Sequence, residues 1–122
     1  MVQFSSDKPI YAQIIDLMSA RIVTGQYEPG SQLPSVRDLA TQLAVNPNTV
    51  QRSLADLEQQ GLVRSERTSG RFVTEDKALI AQTRTALMQN EAQTFAAGMK
   101  RFNVSNKELI DLVRSNAERG EV

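Results

Sequence analysis

The chain of 122 residues contains no cysteine and no histidine. Those two absences together remove disulfides, thiol nucleophiles, thiolate metal sites and imidazole general bases. No apolar run approaches the ~18 residues that a membrane-spanning helix needs, so a soluble protein is expected. The opening Met1-Val2-Gln3-Phe4-Ser5-Ser6-Asp7 lacks the basic, apolar and cleavage regions of a secretory leader, which makes the cytoplasm the expected location. An excess of charge of either sign is also missing: 14 Lys+Arg stand against 14 Asp+Glu. Nucleic-acid-binding domains are often strongly basic, so such a role here must rest on where individual cations face, because each neutralised phosphate contributes whatever the far side of the molecule carries. Only carboxylates, lysines and hydroxyls are left as catalysts, and none lies in a glycine-rich or strand-to-helix motif. No enzyme activity, cofactor or metal is therefore expected. Glu75, Asp76 and Glu91 are the one group of carboxylates that invites a metal or catalytic reading, and helix-start and solvent-face charges are the commoner use of such residues.

The residues present fall into a clear order. Ile10, Ile14, Leu17, Met18 and Ile22 recur at spacings of three and four, which predicts an amphipathic helix with Pro9 in its first turn and Gly25 at its end. A turn cluster, Tyr27-Glu28-Pro29-Gly30-Ser31, leads through an extended Gln32-Leu33 to a second helix. Ser35 and Asp38 make a capping-box-like start to that helix, and Val36, Leu39, Ala40 and Leu43 are its buried face. Ala44-Val45 then turns tightly into a third helix, with Asn46 as N-cap, Pro47 at the first helical position and Gly61 at the end. Two short helices joined by three or four residues have helix-turn-helix geometry, in which the second lies in the major groove. Leu62–Arg67 and Arg71–Thr74 read as two strands around Thr68-Ser69-Gly70. Three helices followed by a hairpin make a winged helix, so the expected fold class is mainly α with one small β-hairpin, residues 1–75 forming the winged helix-turn-helix. Residues 76–122 are expected to be a helical tail of two helices, broken at Asn103-Val104 and reopened by a capping box of Ser105 and Glu108.

Plotted at about 100° per residue, the third helix puts Val50, Ser53, Leu54 and Leu57 on one side and Asn48, Arg52 and Ala55 on the other, with Thr49 and Gln51 flanking. Asn and Gln pair with adenine, Arg pairs with guanine, and a small residue such as Ala55 allows close approach, so the outer face is suited to reading bases. Solvated helix residues would have the same spacing.

Four blocks carry a resemblance that bears on that choice. They are Pro9-Ile10-Tyr11-Ala12-Gln13-Ile14, Pro29-Gly30-Ser31-Gln32-Leu33-Pro34-Ser35-Val36-Arg37-Asp38-Leu39-Ala40, Val45-Asn46-Pro47-Asn48-Thr49-Val50-Gln51-Arg52 and Leu57-Glu58-Gln59-Gln60-Gly61-Leu62. In this order they resemble the GntR family of bacterial transcription regulators over about residues 9–74, and the brief helical tail resembles its small YtrA-type branch. The resemblance implies a homodimeric repressor binding double-stranded operator DNA of pseudo-palindromic form, with a transporter operon as the expected target. It implies DNA contacts at Arg37, Asn48, Thr49, Gln51 and Arg52, and at a wing of Arg67, Ser69, Gly70 and Arg71. Arg37 sits in the first turn of a helix, where a cation opposes the helix dipole and a nearby phosphate would offset that cost. The wing departs from the Arg-Gly-x-Gly-Thr pattern common in the branch. Thr68 stands where the first glycine is usual and cannot take a positive φ cheaply, while Arg71 adds a cation suited to phosphate or minor-groove contact. Arg64, Arg67 and Arg71 have an alternative use as charges that deter edge pairing of an exposed strand.

In the tail, Leu79, Ile80, Leu87, Phe95, Met99 and Phe102 form a stripe broader than the last helix can cover, and a second copy of the chain is the expected partner. A ligand pocket around Met88, Phe95, Met99 and Phe102 is the less common use of such a stripe. The sequence names no effector, and with so short a tail any effector would have to bind at the dimer or interdomain crevice. From another functional class, a winged-helix protein–protein adaptor has the same fold.

Overall fold

The computed structural model describes residues 2–120. The elements run α1 (Ile10–Val23), α2 (Val36–Leu43), α3 (Pro47–Gln59), β1 (Val63–Glu66), β2 (Gly70–Val73), α4 (Lys77–Met99), a single 3-10 turn (Lys100–Phe102) and α5 (Asn106–Gly120). The chain divides into two compact units, residues 1–84 and 85–122. The first is a three-helix cluster with a hairpin and the opening turns of α4, and is mostly helical as expected.

Periodicity explains the core of the first unit. Ile14, Met18 and Ile22 of α1, Leu39, Ala40 and Leu43 of α2, and Val50, Leu54 and Leu57 of α3 are buried together with Leu33, Leu62, Val63 and Val73. Ser53 is also buried; its hydroxyl lies 2.9 Å from the Tyr11 carbonyl and 3.0 Å from that of Thr49, so a polar atom on the core side of α3 is satisfied by α1 and by its own helix. Pro9 is the N-cap of α1 rather than part of its first turn, because its ψ of 143° is extended. Its carbonyl accepts from the N–H groups of Ala12 and Gln13. Gln13 holds the preceding segment down by accepting from the Ser5 N–H and donating to the carbonyls of Ser5 and Lys8.

The ends of α2 and α3 use the same turn with different residues. Past α2, the Val45 N–H returns to the Ala40 carbonyl (3.0 Å) and the Ala44 N–H to Thr41 (3.3 Å), with Ala44 left-handed at φ 56°, ψ 48°. Past α3, the Leu62 N–H returns to Leu57 (3.1 Å) and Gly61 to Glu58 (3.0 Å), with Gly61 at φ 83°. This paired closure wants a left-handed residue just beyond the helix, and glycine supplies it without the Cβ penalty that Ala44 bears. The α2 turn sets the direction from which α3 departs, so the strain lies where the helix-turn-helix angle is made.

β1 and β2 pair antiparallel in the register Val63↔Val73, Arg64↔Phe72, Ser65↔Arg71 and Glu66↔Gly70. A third segment lies along the other edge of β2. Gln32 bridges Phe72, and three backbone bonds join the segments: Gly30 N–H to Val73 (3.0 Å), Val73 N–H to Ser31 (2.9 Å) and Leu33 N–H to Arg71 (2.8 Å). In the hairpin Gly70 has the positive φ (106°), and Thr68 does not need one.

The first unit extends past the expected boundary at residue 75. Asp76 caps α4 by accepting from the Leu79 N–H (3.0 Å), and Leu79 and Ile80 are half-buried against the core of the winged helix. These two residues, which belong to the stripe expected to pair two chains, thus pack in part against the first unit's core. Helical spacing put them in one row with Phe95 and Met99, but spacing along a helix does not say which body each turn meets.

In the second unit, α4 reaches Met99, Asn103 turns the chain in the left-handed region at φ 54°, and Ser105 and Glu108 form the expected capping box at the start of α5. None of its described residues is buried. Among the described residues no helix is long and apolar enough to cross a membrane, and no group of carboxylates is arranged to hold a metal ion.

Candidate nucleic-acid interface

Three parts of the first unit border one another at its surface: the start of α2, the outer face of α3 and the wing. The Ser35 hydroxyl accepts from the Asp38 N–H (3.1 Å), which satisfies one of the free donors at the helix start and leaves Arg37 exposed beside it. The Asn46 side chain accepts from the Asn48 N–H (2.8 Å), so α3 begins abruptly with Asn48 and Gln51 exposed and Thr49 half-buried. At the wing, Arg67, Ser69 and Gly70 are exposed. Gln32 donates from its amide to the Ser69 carbonyl, and a crevice lined by Gln32, Ser35, Val36, Ser69 and Gly70 separates the wing root from the start of α2. A Cβ on Gly70 would come within 3.1 Å of the Gln32 amide nitrogen, so this close approach, as well as its φ, suits glycine.

Two arginines are engaged by side chains of other elements. Arg52 is exposed, and its guanidinium lies over the ring of Tyr11 of α1, 3.6 Å from the ring centroid. Planar stacking of this kind keeps the charge while covering an aromatic face. Arg71 is largely enclosed, with 19% of its side chain exposed. Its Nε donates to Glu58 Oε1 at 2.6 Å, and its Nη1 lies 3.4 Å from Gln51 Oε1. The Ser65 hydroxyl, opposite Arg71 in the ladder, donates to the same Glu58 oxygen at 2.6 Å. The Ser65 hydrogen bond, and after it that from Arg71, hold the Glu58 carboxyl below its ordinary range against a smaller opposing effect of burial. Arg64 pairs with Glu66 on its own strand and lies 5.1 Å from the centre of the Phe72 ring.

Glu58, Gln32 and Tyr11 are partners that the sequence reading overlooked. Glu58 carried a signal: it lies seven residues beyond Gln51, and so shares its helix face. Gln32 and Tyr11 carried none, since they reach the site from other elements.

The combination of a capped α2, an abruptly started α3 with an exposed polar face and a wing stitched to both elements is the frame of a winged helix-turn-helix, and residues 10–73 match the profile of the bacterial regulatory proteins of the gntR family. The chain belongs to the gntR family. Its relatives include YhcF of Bacillus subtilis, described as an uncharacterized HTH-type transcriptional regulator, which is 36% identical and aligned over 97% of this chain and 98% of its own. The HTH-type transcriptional repressor YtrA of the same species is 42% identical over 58% of this chain and 55% of its own. Among solved structures, a GntR family transcriptional regulator from Listeria monocytogenes has a TM-score of 0.86 at 38% identity, covering 92% of this chain and 98% of that one. The DNA-binding domain of AraR in complex with operator ORX1 has a TM-score of 0.57 at 30% identity, covering 61% of this chain and 95% of that domain. Members of the gntR family are DNA-binding transcription regulators, and this chain is a regulator rather than an enzyme.

Proposed function

We propose that the chain is a sequence-specific repressor that works as a homodimer on a pseudo-palindromic operator. Residues 1–84 would read DNA and residues from 85 onward would pair two copies. The observation that carries the reading is the exposed set Arg37, Asn48 and Gln51, held by capped helix starts beside a wing whose tip also faces outward. Base-edge and phosphate contacts made from such a surface would separate specificity from general affinity. The AraR domain bound to operator ORX1 supports DNA as the partner. Pairing is supported by the second unit, where Met88 (48%), Phe95 (45%), Phe102 (63%), Ile110 (54%) and Val113 (49%) are exposed with no buried core beneath them. Apolar grooves along Ala92, Phe95, Leu109 and Val113 would be filled by the same surface of a second copy, since a two-fold interface is self-complementary. A transporter operon, which the sequence resemblance implies, is the proposed target.

Two measurements test this. Fluorescence anisotropy of a labelled random duplex should show affinity falling steeply with the logarithm of salt concentration, and a flat response would favour a protein–protein adaptor. Sedimentation of the full chain should give a dimer that Phe95→Glu dissociates; a monomeric wild-type chain refutes the pairing.

A further inference from the structure

Gln51 is expected, as a glutamine on a recognition helix, to pair with adenine by accepting from N6–H and donating to N7. That pairing needs both ends of its amide. In this chain the oxygen end already faces Arg71, whose Nη1 is 3.4 Å away. A guanidinium is donor-only, so reversing the amide would set N–H groups against N–H groups. At 3.4 Å the bond is long, and its effect is to decide which end of the amide turns toward the cation. Arg71 itself is anchored from behind, through Nε to Glu58 at 2.6 Å, and Glu58 is held in turn by the Ser65 hydroxyl at 2.6 Å. Gln51 is exposed while the Arg71 side chain is largely enclosed. The groove therefore meets the two N–H donors of Gln51 more readily than the cation behind them.

We infer that Arg71 is a positioning residue that makes Gln51 a donor-only reader, selecting guanine over adenine at the base pair Gln51 faces. Guanine is the base whose major-groove edge presents two acceptors, O6 and N7, which one amide NH2 can meet together. The inference rests on the DNA-reading role proposed above and refines it: one position of each half-site is governed by a wing residue that does not touch it. Arg71 was expected from the sequence to contact phosphate. A phosphate contact would act on all duplexes alike, whereas positioning acts on one base.

The test is selection of bound sequences from a fully randomised duplex pool with the full-length wild type and the variants Gln51→Ala, Arg71→Ala and Arg71→Lys, each checked for folding by circular dichroism. In the wild type, the position whose preference Gln51→Ala erases should be guanine by at least about fivefold over adenine. Arg71→Ala should reduce that ratio to near one or below, leaving the other positions unchanged. Arg71→Lys should fail to restore it, because lysine keeps the charge but lacks the planar fork that reaches Glu58 and Gln51 together. An adenine preference at that position in the wild type overturns the inference. It is likewise overturned if Arg71→Ala keeps the guanine preference, or if it weakens every duplex equally and Arg71→Lys rescues. A wild-type pool with no enriched sequence overturns the DNA-reading proposal itself, and so is distinguishable from these results.

Discussion

Replacing Ala44 by glycine should stabilise the protein although it removes a methyl group. Ala44 sits at φ 56°, ψ 48° in the turn between α2 and α3, a region in which an L-residue pays roughly 1–2 kcal/mol. Glycine escapes that penalty but loses roughly 0.5–1 kcal/mol more in backbone entropy on folding. Ala44 is exposed, so its methyl returns little packing energy. The net gain is on the order of 0.5–1 kcal/mol, which for a unit of this size is a rise of about 2–8 °C in Tm. Thermal melts followed by circular dichroism, with urea titrations at 25 °C for the midpoint, would measure it. Gly61→Ala is the mirror experiment, since Gly61 occupies the equivalent position after α3 at φ 83° and a Cβ there would come within 3.3 Å of Leu79. By the same balance it should lose at least about 0.5–1 kcal/mol, and the Leu79 contact adds to that loss. An Ala44→Gly protein no more stable than wild type, or a Gly61→Ala protein as stable as wild type, would refute the strain assigned to this turn.

Leu54 is fully buried at the centre of the core, so Leu54→Ala should cost about 2–5 kcal/mol, read as a fall in the urea midpoint. Arg37→Ala should lower the slope of log affinity against log salt by about 0.9 if Arg37 meets one phosphate, and an unchanged slope would remove it from the interface. The folded Glu58 carboxyl titrates below its ordinary value of about 4.5, so its contribution to stability is fully present above that value and is lost as pH falls through the folded pKa. Glu58→Gln should therefore flatten the acid limb of a plot of urea midpoint against pH, relative to wild type.

The helices and their buried faces were legible because each depends on local spacing: Ile14, Met18 and Ile22, then Leu39 and Leu43, then Val50, Leu54 and Leu57 are buried as periodicity requires. The caps at Ser35, Asn46 and Ser105 were legible for the same reason, since each bonds to an N–H two or three residues away. What escaped reading depends on partners from other elements. Arg71 reads as a wing cation until Glu58, thirteen residues earlier in the chain, is brought beside it by the folding of β1 and β2 onto α3. Arg52 is exposed as its position on α3 requires, but its stacking on the Tyr11 ring depends on α1. Leu79 and Ile80 share a helical row with the second unit's apolar residues, and their partial burial against the first unit's core depends on residues far from them in the chain. A helical wheel gives direction without naming the neighbour.

The segment that lies along β2 has a consequence for how the unit assembles. Gly30, Ser31 and Leu33 bond to Arg71 and Val73, so this small ladder closes a loop containing α2, α3 and β1. α1 packs on α3 across a comparable length of chain, with Ser53 bonded to Tyr11, so both closures must overcome the entropy of drawing together distant points. The α1–α3 closure is rewarded by the burial of Ile14, Met18, Val50 and Leu54, whereas the ladder gains chiefly three backbone bonds, so the ladder is expected to complete later, outside the nucleus formed by the helices. In such a molecule the wing and the entry to α2 act as the latch of the structure, governing how long the folded state persists more than how fast it forms.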